Sequence, residues 1–195
     1  MPETDKPIHP RKIEIVQAAV QCFLERGYHQ TGVRDIAKQA GVSLGNLYNH
    51  FKGKEAVLAF IAEIEGAELS SFITLISEPA DPMTALEQFI EEYAAYASRP
   101  ENAMLGVEIL TEALRNPVII EVFGKNQGLL IDALVSCLNA GKKLGVFAPC
   151  DNVRTVACMI LDTLDGYGLR SLSKSSGNNA AWQALSRFII KGLRP

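Results

Sequence analysis

Residues 31–54, TGVRDIAKQAGVSLGNLYNHFKGK, decide the fold. Ile36, Ala37 and Ala40 make a small apolar face, Gly41 interrupts it, and Val42, Leu47 and Phe51 resume it. The spacing predicts two short helices, over about 33–40 and 44–51, with a tight glycine turn between them. Thr31 can cap the first and Ser43 the second. That order is a helix-turn-helix, whose second helix enters the DNA major groove.

Working outward, Pro10 suits the first turn of a helix, and Ile13, Val16, Val20, Phe23 and Leu24 recur at helical spacing over 10–26. Gly27 is expected as a left-handed cap, and residues 1–8 as a flexible arm. Downstream, Lys52-Gly53-Lys54 is a short basic hinge into a long helix over 54–77. Proline and capping signals then predict helices from 82 to just before Pro100, over 102–115, from 117 to 143, and from a cap at Asp151 to about 172. A polar loop over 173–179 precedes a last helix over 180–191. No strand alternation competes, so the chain reads as all-α with about nine helices. A three-helix helix-turn-helix head occupies 9–65, and a helical regulatory and dimerisation domain occupies 66–195.

The composition agrees with a folded protein in the cytoplasm. Of 195 residues 48% are hydrophobic, ample for a core. No apolar run approaches the roughly 20 residues of a membrane span, and the polar N-terminus lacks an apolar signal region. The four cysteines (Cys22, Cys137, Cys150, Cys158) have no CxxC spacing and the three histidines are scattered. Packed, reduced thiols are expected, with no metal and no cofactor. The net charge is −3, but residues 1–55 carry +2 and residues 56–195 carry −5. A head that approaches phosphate and a body that does not would divide the charge this way.

The head carries a specific resemblance. Ala18-Ala19, Phe23, Gly27-Tyr28, Thr31, Val33, Ile36-Ala37, Ala40-Gly41-Val42-Ser43, Leu47-Tyr48, His50-Phe51 and Lys54-Glu55 resemble, in order and without a gap, the N-terminal domain of the tetracycline-repressor (TetR) family of bacterial regulators. The resemblance implies a homodimer on a partly palindromic operator, usually a repressor, released by a small molecule bound in the C-terminal domain. It also implies a four-helix dimer interface, here from about 151–172 and 180–191.

At about 100° per residue, Leu47 and Phe51 face the core while Gly45 and Asn49 face away, flanked by Asn46, Tyr48 and His50. Asn can pair bidentately with adenine, and glycine lets a backbone approach closely. Gly45 is therefore either a frayed first turn or a site of close approach to DNA. Leu44, about 20° from Phe51 on the wheel, is open to burial or to contact with a thymine methyl. Tyr48 and His50 could be core-edge residues; the family pattern puts them beside the sugar-phosphate backbone. Thr31 caps a helix whose N–H groups could also meet phosphate. Lys54 opens a helix, a poor place for a cation, and phosphate contact would compensate. Arg34 is open to base, phosphate or solvent.

In the body, Phe60, Phe89, Tyr93, Tyr96, Met104, Phe123, Met159 and Tyr167 recur at helical spacing, as core or as the wall of a cavity for an amphipathic or aromatic ligand. Tyr93, Tyr96, Gln127 and Tyr167 are its polar candidates. Glu108 and Glu112 read as an i, i+4 pair on a solvated face rather than a cation site, and Asp162 and Asp165 as interface, ligand-facing or exposed groups. A ligand-responsive regulator leads. The other classes are an enzyme, for which no catalytic set, phosphate loop or metal motif speaks, and a helical interaction module without DNA binding.

Overall fold

The computed structural model describes residues 9–172 and 179–195. Among them the chain forms nine helices and no strand, as expected. The arm at 1–8 and nearly all of the loop at 173–179 lie outside the described residues.

The head comprises α1 (Pro10–Arg26), α2 (Val33–Gln39) and α3 (Leu44–His50). Their starts follow from local chemistry. Pro10 takes the N1 position of α1, and the Ser43 side chain accepts from the Asn46 N–H (3.1 Å) to cap α3. Two details differ from expectation. The N-cap of α2 is Gly32, whose N–H donates to Asp35 Oδ2 (2.9 Å), while the Thr31 hydroxyl turns inward. Gly27 has φ 83° but ψ 151°, a glycine-only extended conformation rather than a left-handed helical one. Its N–H still closes α1 on the Phe23 carbonyl (2.8 Å).

The body comprises α4 (Lys54–Ser77), α5 (Pro82–Ala97), α6 (Pro100–Ala113), α7 (Pro117–Lys143), α8 (Val153–Ser171) and α9 (Asn179–Leu193). Pro82, Pro100 and Pro117 each sit in a first helical turn. Helix α6 starts before residue 102 because Pro100 holds Arg99 extended and makes it the N-cap. Asn152, rather than Asp151, caps α8 by accepting from the Thr155 N–H (3.1 Å).

Two apolar clusters hold the molecule. One joins Ile15, Phe23, Ile36, Leu47 and Phe51 of the head with Val57 and Ile61 of α4 and with Ile119 and Phe123 of α7. The other joins Phe72, Phe89, Leu134 and Leu161 from α4, α5, α7 and α8. Burying each such side chain stabilises the fold by roughly 1.5–3 kcal/mol. Helix α4 contributes its first half to one cluster and its second half to the other, so head and body share one uninterrupted helix.

Candidate DNA interface and ligand cavity

Helix α3 presents an ordered division of faces. Leu47 and Phe51 are buried, whereas Gly45, Asn46, Tyr48 and Asn49 are exposed. Tyr48 is 51% exposed, so its phenol reaches solvent rather than the core edge. Leu44 is half-buried and packs on the head cluster. His50 is half-buried, its ring 5.2 Å from that of His9. Arg34 is exposed on α2. A β-carbon added at Gly45 would meet nothing within 4 Å, so packing within the protein does not require glycine there.

Two of the expected contact residues face inward. Thr31 is 1% exposed, and its hydroxyl donates to the carbonyls of Gly27 (2.9 Å) and Cys22 (3.2 Å), bracing the loop between α1 and α2. The Lys54 ammonium donates to the carbonyls of Tyr28 (2.9 Å), His29 (3.4 Å) and Thr31 (3.2 Å), and lies 4.3 Å above the Tyr28 ring. Carbonyl dipoles thus supply the compensation expected from phosphate. The reason is geometric: the loop over 28–31 folds across the start of α4 and delivers carbonyls where the helix alone offers N–H groups.

The same loop is held from the body. Glu108 Oε2 accepts from the Tyr28 N–H (3.1 Å), and buried Glu112 lies 3.9 Å from His29 Nδ1. These two carboxylates are therefore a head–body contact, not the solvated pair their spacing suggested. Burial, with the charges of Glu55 and Glu112 added, pushes the Tyr28 phenol up to about 12, so it stays neutral.

Behind α6 lies a cavity of about 1390 Å³, walled by α1 of the head and by α4 to α8 of the body. Phe60, Tyr93, Tyr96, Phe123 and Gln127 are on its wall. Four other aromatic or sulfur side chains expected there are not. Phe89 is fully buried one turn before Tyr93, its ring stacked on that of Tyr93 (5.4 Å). Met104 and Met159 point to the surface, and Tyr167 packs on Trp182 (5.0 Å). Helical spacing places such residues on an apolar helix without telling which neighbouring helix each one meets.

The wall also carries Glu65, which periodicity did not single out, and Asp165, one of the two aspartates left open between interface, ligand and solvent. Asn126 of α7 donates to Glu65 Oε2 (2.8 Å) and to the Ala62 carbonyl (2.8 Å). It reaches them across Gly66, where a β-carbon would come within 2.9 Å of Asn126 Oδ1. A glycine and an asparagine inside two long helices are the available sequence signal for such an approach. Tyr93 donates its hydroxyl proton to Asp165 Oδ1 (2.9 Å). Burial raises the carboxyls of both Glu65 and Asp165 above the usual range, opposed in each case by the hydrogen bond received.

The cysteines are free, Cys22 and Cys137 buried, and burial pushes the Cys137 thiol up to about 11. Among the described residues no cluster of His, Cys, Asp or Glu could hold a metal ion, and no helix is long and apolar enough to cross a membrane.

Two short helices joined by a glycine turn, the second with polar, exposed residues on its outer face, make the head of a helix-turn-helix protein with a helical body. Residues 15–60 match the sequence profile described as bacterial regulatory proteins, tetR family. The fatty acid metabolism regulator protein of Bacillus subtilis is 30% identical over 164 residues, covering 82% of each chain. The HTH-type transcriptional regulator UidR of Escherichia coli K12 is 26% identical over 190 residues, covering 94% of this chain and 93% of UidR. The structure of FadR from Bacillus subtilis in complex with stearoyl-CoA shares the fold at 24% identity with a TM-score of 0.77, covering 93% of this chain and 99% of FadR. The chain belongs to the TetR family of transcriptional regulators.

Proposed function

We propose that this regulator is a cytoplasmic homodimeric repressor that binds a palindromic operator and leaves it when a small molecule fills the cavity. The observation that carries the reading is that one cavity is walled by α1 of the head as well as by five helices of the body. A ligand placed there would touch both parts at once. If it binds more tightly to one head–body arrangement, it shifts the population between them. The stearoyl-CoA held by the FadR neighbour supports a ligand-responsive body. Exposed Met159 on α8 and Phe188 on α9 support pairing through these two helices. No catalytic step is assigned to the chain.

On operator DNA, Gly45, Asn46 and Asn49 are the proposed base readers, with Tyr48, His50 and Arg34 toward the backbone and Leu44 at the base of the helix. Thr31 and Lys54 are assigned to holding the loop that orients α2 and α3. Mobility-shift titration on the DNA upstream of the chain's own gene tests this. Tyr48→Ala should weaken specific and nonspecific DNA alike, whereas Asn46→Ala or Asn49→Ala should change base preference. Unchanged binding in all three folded variants would sink the assignment.

A further inference from the structure

The charged groups of the cavity have one sign. Six carboxylates reach its wall, Glu63, Glu65, Glu68, Glu101, Asp162 and Asp165, whereas no Lys, Arg or His does among the described residues. The neutral polar groups of the wall, Tyr93, Tyr96, Gln17, Asn102 and Gln127, bring no positive charge to offset it, and Asn102 gives an amide N–H to the Tyr96 carbonyl (3.0 Å). Tyr93 gives its only hydroxyl proton to Asp165, and burial beside Glu65 and Glu68 keeps the Tyr96 phenol neutral. Outside the wall, Asn126 gives its amide N–H donors to Glu65 and the Ala62 carbonyl. Apolar side chains, among them Phe60, Ile64, Leu105 and Ile109, make up much of the remaining wall.

We infer that the cavity takes an apolar organic cation, an amine whose ammonium is received by Asp165 and Glu65 and whose hydrocarbon or aromatic body fills the rest. This rests on the ligand-gated reading above and adds the chemistry of the ligand. The six carboxylates supply negative charge and acceptors with no cation on the wall to answer them, and an ammonium supplies positive charge and donors. Both carboxyls are half-buried on the same wall, and the charge of Asp165 opposes ionisation of Glu65. A cation between them removes that conflict. An acyl carboxylate or a phosphorylated headgroup would add negative charge to the same place. The acyl-CoA of the FadR neighbour is therefore a poor guide to this cavity, despite the shared fold.

Three probes of matched length separate the possibilities: decylamine, decanol and decanoate, each below its micellar concentration, titrated calorimetrically into the full-length protein at pH 7. The inference expects decylamine to bind at least tenfold more tightly than decanol, and decanoate more weakly than either. Asp165→Asn and Glu65→Gln keep the acceptors used by Tyr93 and Asn126 and remove only charge. In either variant, checked for an intact thermal transition, the loss for decylamine should exceed the loss for decanol by tenfold or more. Decanoate binding as tightly as decylamine, or an amine preference below tenfold or unmoved in both variants, overturns the cation assignment and leaves a ligand-gated cavity standing. Failure of all three probes to bind overturns the ligand-cavity reading itself, and this inference with it.

Discussion

Gly45 is the residue at which stability and recognition pull in opposite directions. It lies in the first turn of α3 with open space where a β-carbon would stand. Glycine in a helix is less favourable than alanine by up to about 1 kcal/mol. Gly45→Ala should therefore stabilise the free protein, raising the melting temperature by about 2–4 °C per kcal/mol for a chain of this size. If the backbone there approaches base edges, the same variant should bind operator DNA several-fold more weakly. Calorimetric melting and fluorescence anisotropy read the two effects separately, and equal or tighter DNA binding would leave only the helix-propensity explanation. The wheel made this position legible from sequence, because exposure on a short helix follows from its 3.6-residue period. Lys54 was not legible in the same way. Its three carbonyl partners lie 23 to 26 residues earlier in the chain, where a loop rather than a period delivers them.

At the scale of the element, α6 faces two ways. One side contributes Leu105, Gly106 and Ile109 to the cavity wall, and the other holds the Tyr28 N–H through Glu108. A displacement of α6 by a bound molecule thus reaches the loop that Lys54 and Thr31 also brace. The spacing of Glu108 and Glu112 could be read as a pair on one helical face, but the partner of that face is set by tertiary packing. A solvated stripe and a docking stripe have the same sequence. Glu108→Ala removes the acceptor and leaves the Tyr28 N–H without its partner, a cost of roughly 1–3 kcal/mol if the group stays dry. The expected result is a head that still binds DNA but whose affinity responds less to a cavity ligand. DNA titrations with and without decylamine measure that coupling. A ligand response equal to that of the parent protein would place the coupling elsewhere, most directly in the α1 wall formed by Ile13, Val16 and Val20.

For the whole molecule, the proposed homodimer supplies a second head. A seven-residue recognition helix reads only a few base pairs, and helix-turn-helix dimers gain site length by spanning half-sites about one DNA turn apart, roughly 34–36 Å. Helices α8 and α9 are the proposed pairing elements, and each leaves a large apolar side chain open: Met159 is 62% exposed and Phe188 is 77% exposed. Both helices also anchor inward, α8 through Leu161 and Leu164 and α9 through Ile190. A charge placed on each outward face should oppose its own copy across a two-fold axis, since such an interface sets the same patch against itself. Met159→Glu with Phe188→Glu should therefore shift the protein toward monomer in sedimentation equilibrium, with little change in the helical circular dichroism of each chain. Operator affinity should fall by orders of magnitude while nonspecific binding per head persists, because each head keeps α3 but loses the second half-site. A protein that stays dimeric with both substitutions would move the interface off α8 and α9.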